Sequence, residues 1–377
     1  MRFHPFLPCF ILISTFLFSC EEESPLTSAD LIPKTEEEEE KVPEPIDWCV
    51  QNTCWDERVF TCRDSTMIAN FTRDEGWTGG DATYSISLPG DRVLWLFGDS
   101  FIGQVNEQRE RPTLQLINNC LLIQDGKEFT THHGGTSQSP KAYAVPEDGA
   151  SWYWPGHGRA DEDTLYLFMH AFSTGGEGAW DFFRTGVDLL KIDPNTLEIF
   201  ENNRLIDGEG ISYGAHVMEE DDSVYIYGVL AEGTSKELYV ARADLKFTQP
   251  WEYYSAGHWV EDPEGATALF SHVSEQFSVF KHNEKYYLLT QNHILGKEIY
   301  LYSSYSPVGP WVNKKTIYCT PETGGDIFTY NAYAHTMFTE NGKLLVSYNI
   351  NSFSFADLKD ADNYRPYFIT VENWEDE

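Results

Sequence analysis

Two aspartates have the type and placement to do chemistry together. Asp81 ends the run Trp77-Thr78-Gly79-Gly80-Asp81, and Asp99 lies in Phe97-Gly98-Asp99-Ser100, with the turn Pro89-Gly90-Asp91 midway between them. Folding this segment into a β-hairpin sets the two aspartates opposite one another, where facing Cα atoms lie ~4.5–5.5 Å apart. Two carboxyls at one cleft meet the needs of glycoside hydrolysis: one protonates the leaving oxygen, the other activates water or attacks the anomeric carbon. Crowding them raises one pKa and so keeps a proton available near neutrality. A plainer role also fits, since aspartates after glycine cap turns or hold a structural ion.

Four later hairpins, folded about their own turns, place Trp154 opposite His170, Tyr213 opposite Val229, Glu275 opposite Gln291 and Asn331 opposite Asn349. Together with the first pair, nine of these ten positions are polar or aromatic on strands otherwise rich in aliphatic residues. Glu275 is a third candidate catalytic carboxylate, or else the ion-pair partner of a neighbouring unit. His216 in Gly214-Ala215-His216 and His335 in Tyr333-Ala334-His335 recur in similar frames. Each suits a water or cation in a central channel, or a hydrogen bond between units. Trp154 and Tyr213 offer faces for a sugar or for the core, and Asn349, Asn351 and Arg365 offer polar contacts, with Arg365 equally suited to a structural clasp. The candidate substrate-binding set is thus Trp154, His170, Tyr213, His216, Asn331, Tyr333, His335, Asn349 and Arg365. No cofactor is expected, and a structural calcium in the channel stays open as an alternative. No Gly-x-Ser-x-Gly elbow, phosphate loop or His-Glu-x-x-His motif supports serine hydrolase, nucleotide or metalloprotease chemistry.

The elements that would position these residues are short strands. Strand-like runs anchored at Leu94, Leu165, Val224, Tyr286 and Leu344 recur 58 to 71 residues apart, each after an acidic or Gly/Asn-bearing turn and another strand-like run. Residues 189–192, 238–242 and 299–303 supply outer strands. Four strands per unit and five units predict an all-β fold, a five-bladed β-propeller over residues 48–377. The last unit shows only one strand beyond its hairpin, at 364–371, and residues 59–71 are predicted to supply the missing one and close the ring. A β-sandwich with irregular insertions is the competing architecture.

The chain of 377 residues carries a formal charge of −34, which disfavours nucleic acid as a partner. Aromatic residues make up 15%, including 11 Trp and 21 Tyr, a supply that serves both sugar stacking and strand cores. Arg2 and an apolar run to Phe18 read as a secretory signal over residues 1–19. The sequence Leu17-Phe18-Ser19-Cys20 resembles a lipobox, with Cys20 the lipidated residue; the plainer alternative is a signal peptide with a chance cysteine. Glu21-Glu22-Glu23 resembles the acidic export tag of Gram-negative surface lipoproteins. Residues 20–47, rich in Pro and Glu, read as a solvated tether. The expectation is a monomer on the outer membrane surface, held there by its lipid anchor alone. Cys49, Cys54 and Cys62 are close enough in sequence for one local disulfide of undetermined pairing.

The runs Trp77–Ser85 and Trp95–Gly103, with Tyr330-Asn331-Ala332-Tyr333-Ala334-His335, Ser347-Tyr348-Asn349-Ile350-Asn351 and Tyr364-Arg365-Pro366-Tyr367-Phe368, resemble a family of secreted bacterial five-bladed propellers of unknown function. The likeness spans residues 62–374. A related group contains endo-D-arabinanases, in which two first-blade aspartates are implicated; by position these correspond to Asp81 and Asp99. The wider likeness is to glycoside hydrolase family 43, which draws its three carboxylates from different blades, unlike the pair here. The resemblance implies a surface glycoside hydrolase-like protein acting on a complex, furanose-containing polysaccharide or oligosaccharide, with Asp81 and Asp99 as its acid/base or nucleophile pair; Glu275, read from the hairpins alone, would be an assisting carboxylate. A non-catalytic glycan-binding lipoprotein is the alternative, and a polysaccharide lyase a further one.

Overall fold

The computed structural model describes residue 54 and residues 56–376, apart from residues 150, 177, 179, 180, 206–209, 233, 234 and 294. The signal, Cys20, the tether and Cys49 lie outside the described residues. The fold is all-β, as expected. Along the chain, β1 (Phe60–Arg63) and helix α1 (Ser65–Asn70) precede β2 (Glu75–Gly80), β3 (Tyr84–Leu88), β4 (Arg92–Phe97), β5 (Ser100–Gln104), β6 (Leu116–Ile117), β7 (Cys120–Asp125) and β8 (Glu128–His132). Strands β3, β4, β7 and β8 form the first sheet in that order, while β2, β5 and β6 form a separate three-stranded sheet. After the small β9 (Gly134–Thr136) and β10 (Ser139–Lys141) ribbon comes the second sheet, β11 (Trp152–Ala160), β12 (Leu165–Thr174), β13 (Phe182–Ile192) and β14 (Ile199–Arg204). The third contains β15 (Ser212–Glu220), β16 (Ser223–Glu232), β17 (Ser235–Asp244), β18 (Glu252–Ser255), β19 (His258–Val260) and β20 (Phe270–Ser271). The fourth is β21 (Phe277–His282), β22 (Lys285–Gln291), β23 (Glu298–Ser304) and β24 (Val312–Cys319). The fifth is β25 (Ile327–Ala334), β26 (Leu344–Ser352) and β27 (Pro366–Glu372), completed by β1.

That completion was expected from residues 59–71, and β1 supplies it: Phe60 to Arg63 pair antiparallel with Glu372 to Ile369. The hairpin turns also fall where the sequence puts them, with Asn341 and Gly342 both left-handed, the Asn-Gly geometry of a tight hairpin.

Successive side chains of a strand point to opposite faces, and here both faces are buried. In β4, Leu94 and Leu96 pack with Leu165 and Leu167 of the second sheet, while Trp95 and Phe97 pack with Leu345 and Phe368 of the fifth. The same alternation fills the layers between the second and third, third and fourth, and fourth and fifth sheets. This is why the strands read as nearly continuous apolar runs rather than a polar–apolar alternation.

Inside this stack, the five inner strands join through buried polar side chains. His157 of β11 donates from Nε2 to the Ser85 carbonyl of β3 (3.2 Å) and accepts at Nδ1 from the Val217 amide of β15 (3.1 Å). His216 donates from Nε2 to the Val279 carbonyl of β21 (2.7 Å) and accepts at Nδ1 from the Tyr333 hydroxyl of β25 (2.9 Å). The Ala334 amide donates to Ser278 Oγ, and His335 lies between Ser85 Oγ (2.7 Å) and Ser347 Oγ (2.8 Å), which returns the circuit to β3. Burial lowers the pKa values of His157 and His335 to about 4 and about 3, and that of His216 well below the ordinary value, so all three are neutral at pH 7. Their neutral tautomers match the bonds they make.

Of the three cysteines close enough for a local disulfide, Cys54 is taken by a distant partner, Cys319, 265 residues away at the end of β24. The reason is topological: the strand that completes the fifth sheet brings the segment before it alongside the fourth. Cys62 is disulfide-bonded as well.

The circuit makes a direct prediction. His335→Leu leaves two buried hydroxyls without their partner and should lower the unfolding free energy by about 2–4 kcal/mol. Chemical denaturation at pH 7 checks this, and a loss below about 1 kcal/mol would remove His335 from the structural account.

Candidate active site

Asp81 and Asp99 occupy the joint where one long hairpin passes from one sheet to another. Strands β3 and β4 pair within the first sheet, and the same two chain segments pair again as β2 and β5 in the three-stranded sheet. Between the two stretches, the Asp81 amide donates to the Asp99 carbonyl (3.2 Å) and the Gly98 amide donates to the Asp81 carbonyl (2.9 Å). The facing of these residues, inferred from the turn at Gly90, is therefore present in the backbone. Ala82 adopts φ 52° just after Asp81, so the chain bends there. Glycine is required at the bend: a Cβ on Gly98 would stand 2.5 Å from Asp81 Oδ1, and one on Gly79 would stand 2.0 Å from the Tyr364 carbonyl.

Each carboxylate has its own donors. Asp81 Oδ2 accepts from the hydroxyls of Tyr330 (2.6 Å) and Tyr364 (3.0 Å), and Asn351 donates in turn to Tyr330 Oη (3.0 Å). Asp99 Oδ1 accepts from Trp154 Nε1 (2.7 Å) and Asn118 Nδ2 (3.1 Å). Loss of water around Asp81, and next the charge of Asp99, push its pKa up to about 7 against the opposing tyrosine hydrogen bonds. Burial raises Asp99 too, with Trp154 and Asn118 opposing. Burial and Asp81 hold both tyrosine hydroxyls well above their ordinary range, so they stay protonated and donate to Asp81. The pair can thus carry one proton on Asp81 and a negative charge on Asp99 near neutrality, the division of labour that general acid–base or nucleophilic displacement uses.

Behind the bend sits Arg111, only 2% exposed. Its guanidinium donates to the carbonyls of Leu358 (2.7 Å), Thr78 (2.8 Å), Tyr364 (3.2 Å), Asp360 (3.2 Å) and Ala361 (3.3 Å), and lies 4.5 Å over the Phe101 ring. It fastens the loop that carries Tyr364 to the strand that carries Asp81. Asn349, fully buried, donates to the Gly80 carbonyl (3.1 Å) and Thr83 Oγ1 (3.0 Å), fixing the bend from the other side.

The other candidates divide. Trp154 joins the pair through its indole N–H and faces His170 in the register expected. His170 is buried against the Tyr213 carbonyl (3.0 Å), and Tyr213 lies in the core between the second and third sheets. Asn331 stands in a bulge at φ 59°, which shifts the register so that Tyr330, not Asn331, faces Asn349. His216, Tyr333 and His335 belong to the buried circuit, and a cavity of about 330 Å³ beyond it opens toward the hairpin turns, lined by Ser87, Glu219, Lys281 and Met337 among others. Glu275 is exposed, pairs with Lys236 (3.0 Å), and acts on Tyr84 electrostatically, as Asp81 does. Arg365 turns away, to Asp362 (2.8 Å) and over the Tyr367 ring (4.3 Å). Tyr330, Tyr364, Asn118 and Arg111 were not among the sequence candidates. Only the runs Tyr330-Asn331-Ala332-Tyr333 and Tyr364-Arg365-Pro366, quoted for the family resemblance, pointed toward the first two. Among the described residues, no cluster of three or more His, Cys, Asp or Glu forms a metal site.

The raised pKa of Asp81 has a signed consequence. The folded protein holds this proton up to about pH 7, whereas an unfolded aspartate releases it near 3.9, so stability from this group is lost as pH rises between those values. Asp81→Asn should therefore melt above the wild type at pH 8 and together with it at pH 4. Equal melting temperatures at both pH values would contradict the raised pKa.

The fold has known relatives. A Bacteroides ovatus protein described as a "putative hydrolase" superposes with a TM-score of 0.74 at 24% identity, covering 86% of this chain and 93% of that one. A GH43_12 protein from a capybara gut metagenome matches with a TM-score of 0.48 at 13% identity over 82% of this chain and 56% of that one. CoXyl43, a GH43 β-xylosidase/α-arabinofuranosidase from a compost microbial metagenome, matches with a TM-score of 0.47 at 13% identity over 78% and 91%. The last two are too remote to carry an argument. No curated protein sequence matches the chain. With its profile matching residues 64–374, from the cap of α1 through the bend at Asp81 and Asp99 to Trp374, the chain belongs to the family described as Domain of unknown function (DUF5005).

Proposed function

We propose that the protein is a glycoside hydrolase on a five-bladed β-propeller, acting on a complex, furanose-containing polysaccharide. The observation that carries this is the Asp81–Asp99 pair: two half-buried carboxyls at one bend, with Asp81 still protonated near pH 7. In the proposed step Asp81 gives its proton to the glycosidic oxygen as the C–O bond breaks. Asp99, steered by Trp154 and Asn118, attacks the anomeric carbon or takes a proton from the water that does. Five sheets packed face to face around one buried circuit support the propeller. A lyase is less well supported, because its base would have to come from tyrosines whose hydroxyls resist ionisation, and Arg111 and Arg365 are turned inward.

The test is release of reducing ends from a polysaccharide panel. Asp81→Asn and Asp99→Asn should each lower turnover about 10²–10⁴-fold while the fold persists. The wild-type rate should fall as pH rises past about 7, where Asp81 loses its proton. Binding without any reducing ends would instead identify a glycan-binding module, a second reading favoured by the four donors from neighbouring elements that hold one oxygen of each carboxyl.

The proposal includes export and lipid attachment at Cys20, at the surface of a Gram-negative outer membrane. Cys20→Ala should move the protein from the membrane to the soluble fraction, because the lipid is the membrane contact this reading relies on. Continued sedimentation with outer membranes would refute the anchor.

A further inference from the structure

On the Asp81 side of the bend, two phenylalanines stand out in solvent: Phe353 is 59% exposed and Phe355 57%. Single exposed apolar residues are ordinary on protein surfaces. These two differ in what stands behind them. Phe353 packs on Phe328 (4.5 Å between centroids), and Phe328 on Tyr330, whose hydroxyl holds Asp81. Phe355 contacts Phe101 (6.5 Å), and Phe101 packs edge-on to Tyr364, the second hydroxyl on Asp81. Two files of rings therefore run from the carboxyl to the surface.

The segment that carries them is held in place. The Phe353 amide donates to the Asp326 carbonyl, Ser352 Oγ donates to Asp357 Oδ2 (2.8 Å), and the Arg111 amide donates to the Lys359 carbonyl (2.8 Å). A platform already ordered costs little further entropy when a ligand settles on it. On the Asp99 side, Trp154 packs with Phe172 (4.6 Å) and Phe182 (4.8 Å), with Trp152 beside them. Register places all of these at the same end of the sheets: Ile327 pairs with Ser352 and Trp152 with Phe172 at the ends remote from their hairpin turns, as Asp81 and Asp99 are from theirs.

We propose that Phe353 and Phe355 form a stacking site for sugar rings of an uncharged glycan, which passes over the aspartates toward the Trp152–Trp154 cluster. This rests on the glycan reading above and names its substrate class. Flat apolar faces suit the C–H faces of sugars, whereas a chain of formal charge −34 would repel carboxylated or sulfated glycans.

The experiment uses the mature chain carrying Asp81→Asn to suppress turnover. Affinity for arabinan, xylan and mixed-linkage β-glucan is measured by affinity electrophoresis, beside polygalacturonate as the charged control. Phe353→Ala and Phe355→Ala should each weaken binding to whichever uncharged glycan binds by about tenfold, the loss expected when one stacked ring is removed. Phe353→Tyr should restore it, and none of these changes should shift the melting temperature, which separates a lost contact from a collapsed loop. Polygalacturonate should not bind. Undiminished binding in the double alanine variant overturns the stacking site, and leaves the hydrolase reading standing if the wild type releases reducing ends. A change from dimer to monomer in the double variant, with affinity intact, overturns it in favour of contact between two copies. If no glycan binds and none is cleaved, both proposals fall.

Discussion

The rest of this protein depends on a circuit of buried hydrogen bonds between its inner strands. His157, His216 and His335, with Ser85, Ser278 and Tyr333, tie each inner strand to the next and return to the start. An imidazole buried among aliphatic layers must be neutral and must satisfy both nitrogens, because an unpaired buried polar atom costs about 1–3 kcal/mol. Only one relative placement of the five strands meets that condition. The apolar layers between sheets could tolerate small slips, but the ring could not. It therefore sets the register that all the other elements inherit.

The candidate site uses this rigidity. Because the first hairpin is locked into the ring by Ser85, its continuation beyond Asp81 and Asp99 leaves the sheet at a fixed place and re-pairs as β2 and β5. The bend exposes two carboxyls to a neighbourhood that water only partly enters. The two tyrosines held by the fifth sheet and its following loop then reach across to one of them. Distant parts of the chain, 249 and 283 residues from Asp81, are brought to one oxygen atom. A charge-bearing arginine is fully buried to hold that loop, with carbonyl oxygens and an aromatic face in place of a counter-ion. Burying a charge is expensive unless its hydrogen bonds are satisfied, and here five carbonyls and a hydroxyl do so.

The acidity of the site and its stability oppose each other. Desolvation lifts Asp81 into the range useful for proton transfer, and the same desolvation makes its ionised form a burden on the fold. Proteins carry such burdens where function needs them and compensate elsewhere. Here the compensation is visible in the ring, the Arg111 clasp and the Cys54–Cys319 bond, which fastens the chain before β1 to the fourth sheet.

The sequence alone determined what depends on neighbours along the chain. Alternation of apolar residues and the turns at Gly90, Asp221, Asn283 and Asn341 made the strands and hairpins legible, since these follow from backbone conformations that few residues adopt. Facing across one tight turn also gave the Asp81–Asp99 pair and the Trp154–His170 pair. Tertiary structure decided the rest. The bulge at Asn331 moved Tyr330 into the place expected for its neighbour, because one extra residue in a strand leaves no mark in its pattern. His216 and His335, open in the sequence between channel ligands and bonds between units, make bonds between sheets, since only the packed fold supplies the carbonyls and hydroxyls they meet. Arg111 and Tyr364 gained their roles from contacts nearly 250 residues and more away along the chain, and Cys54 its partner from the pairing of β1 with β27. A local sequence window holds no trace of such meetings, because they follow from where the packed sheets bring distant parts of the chain together.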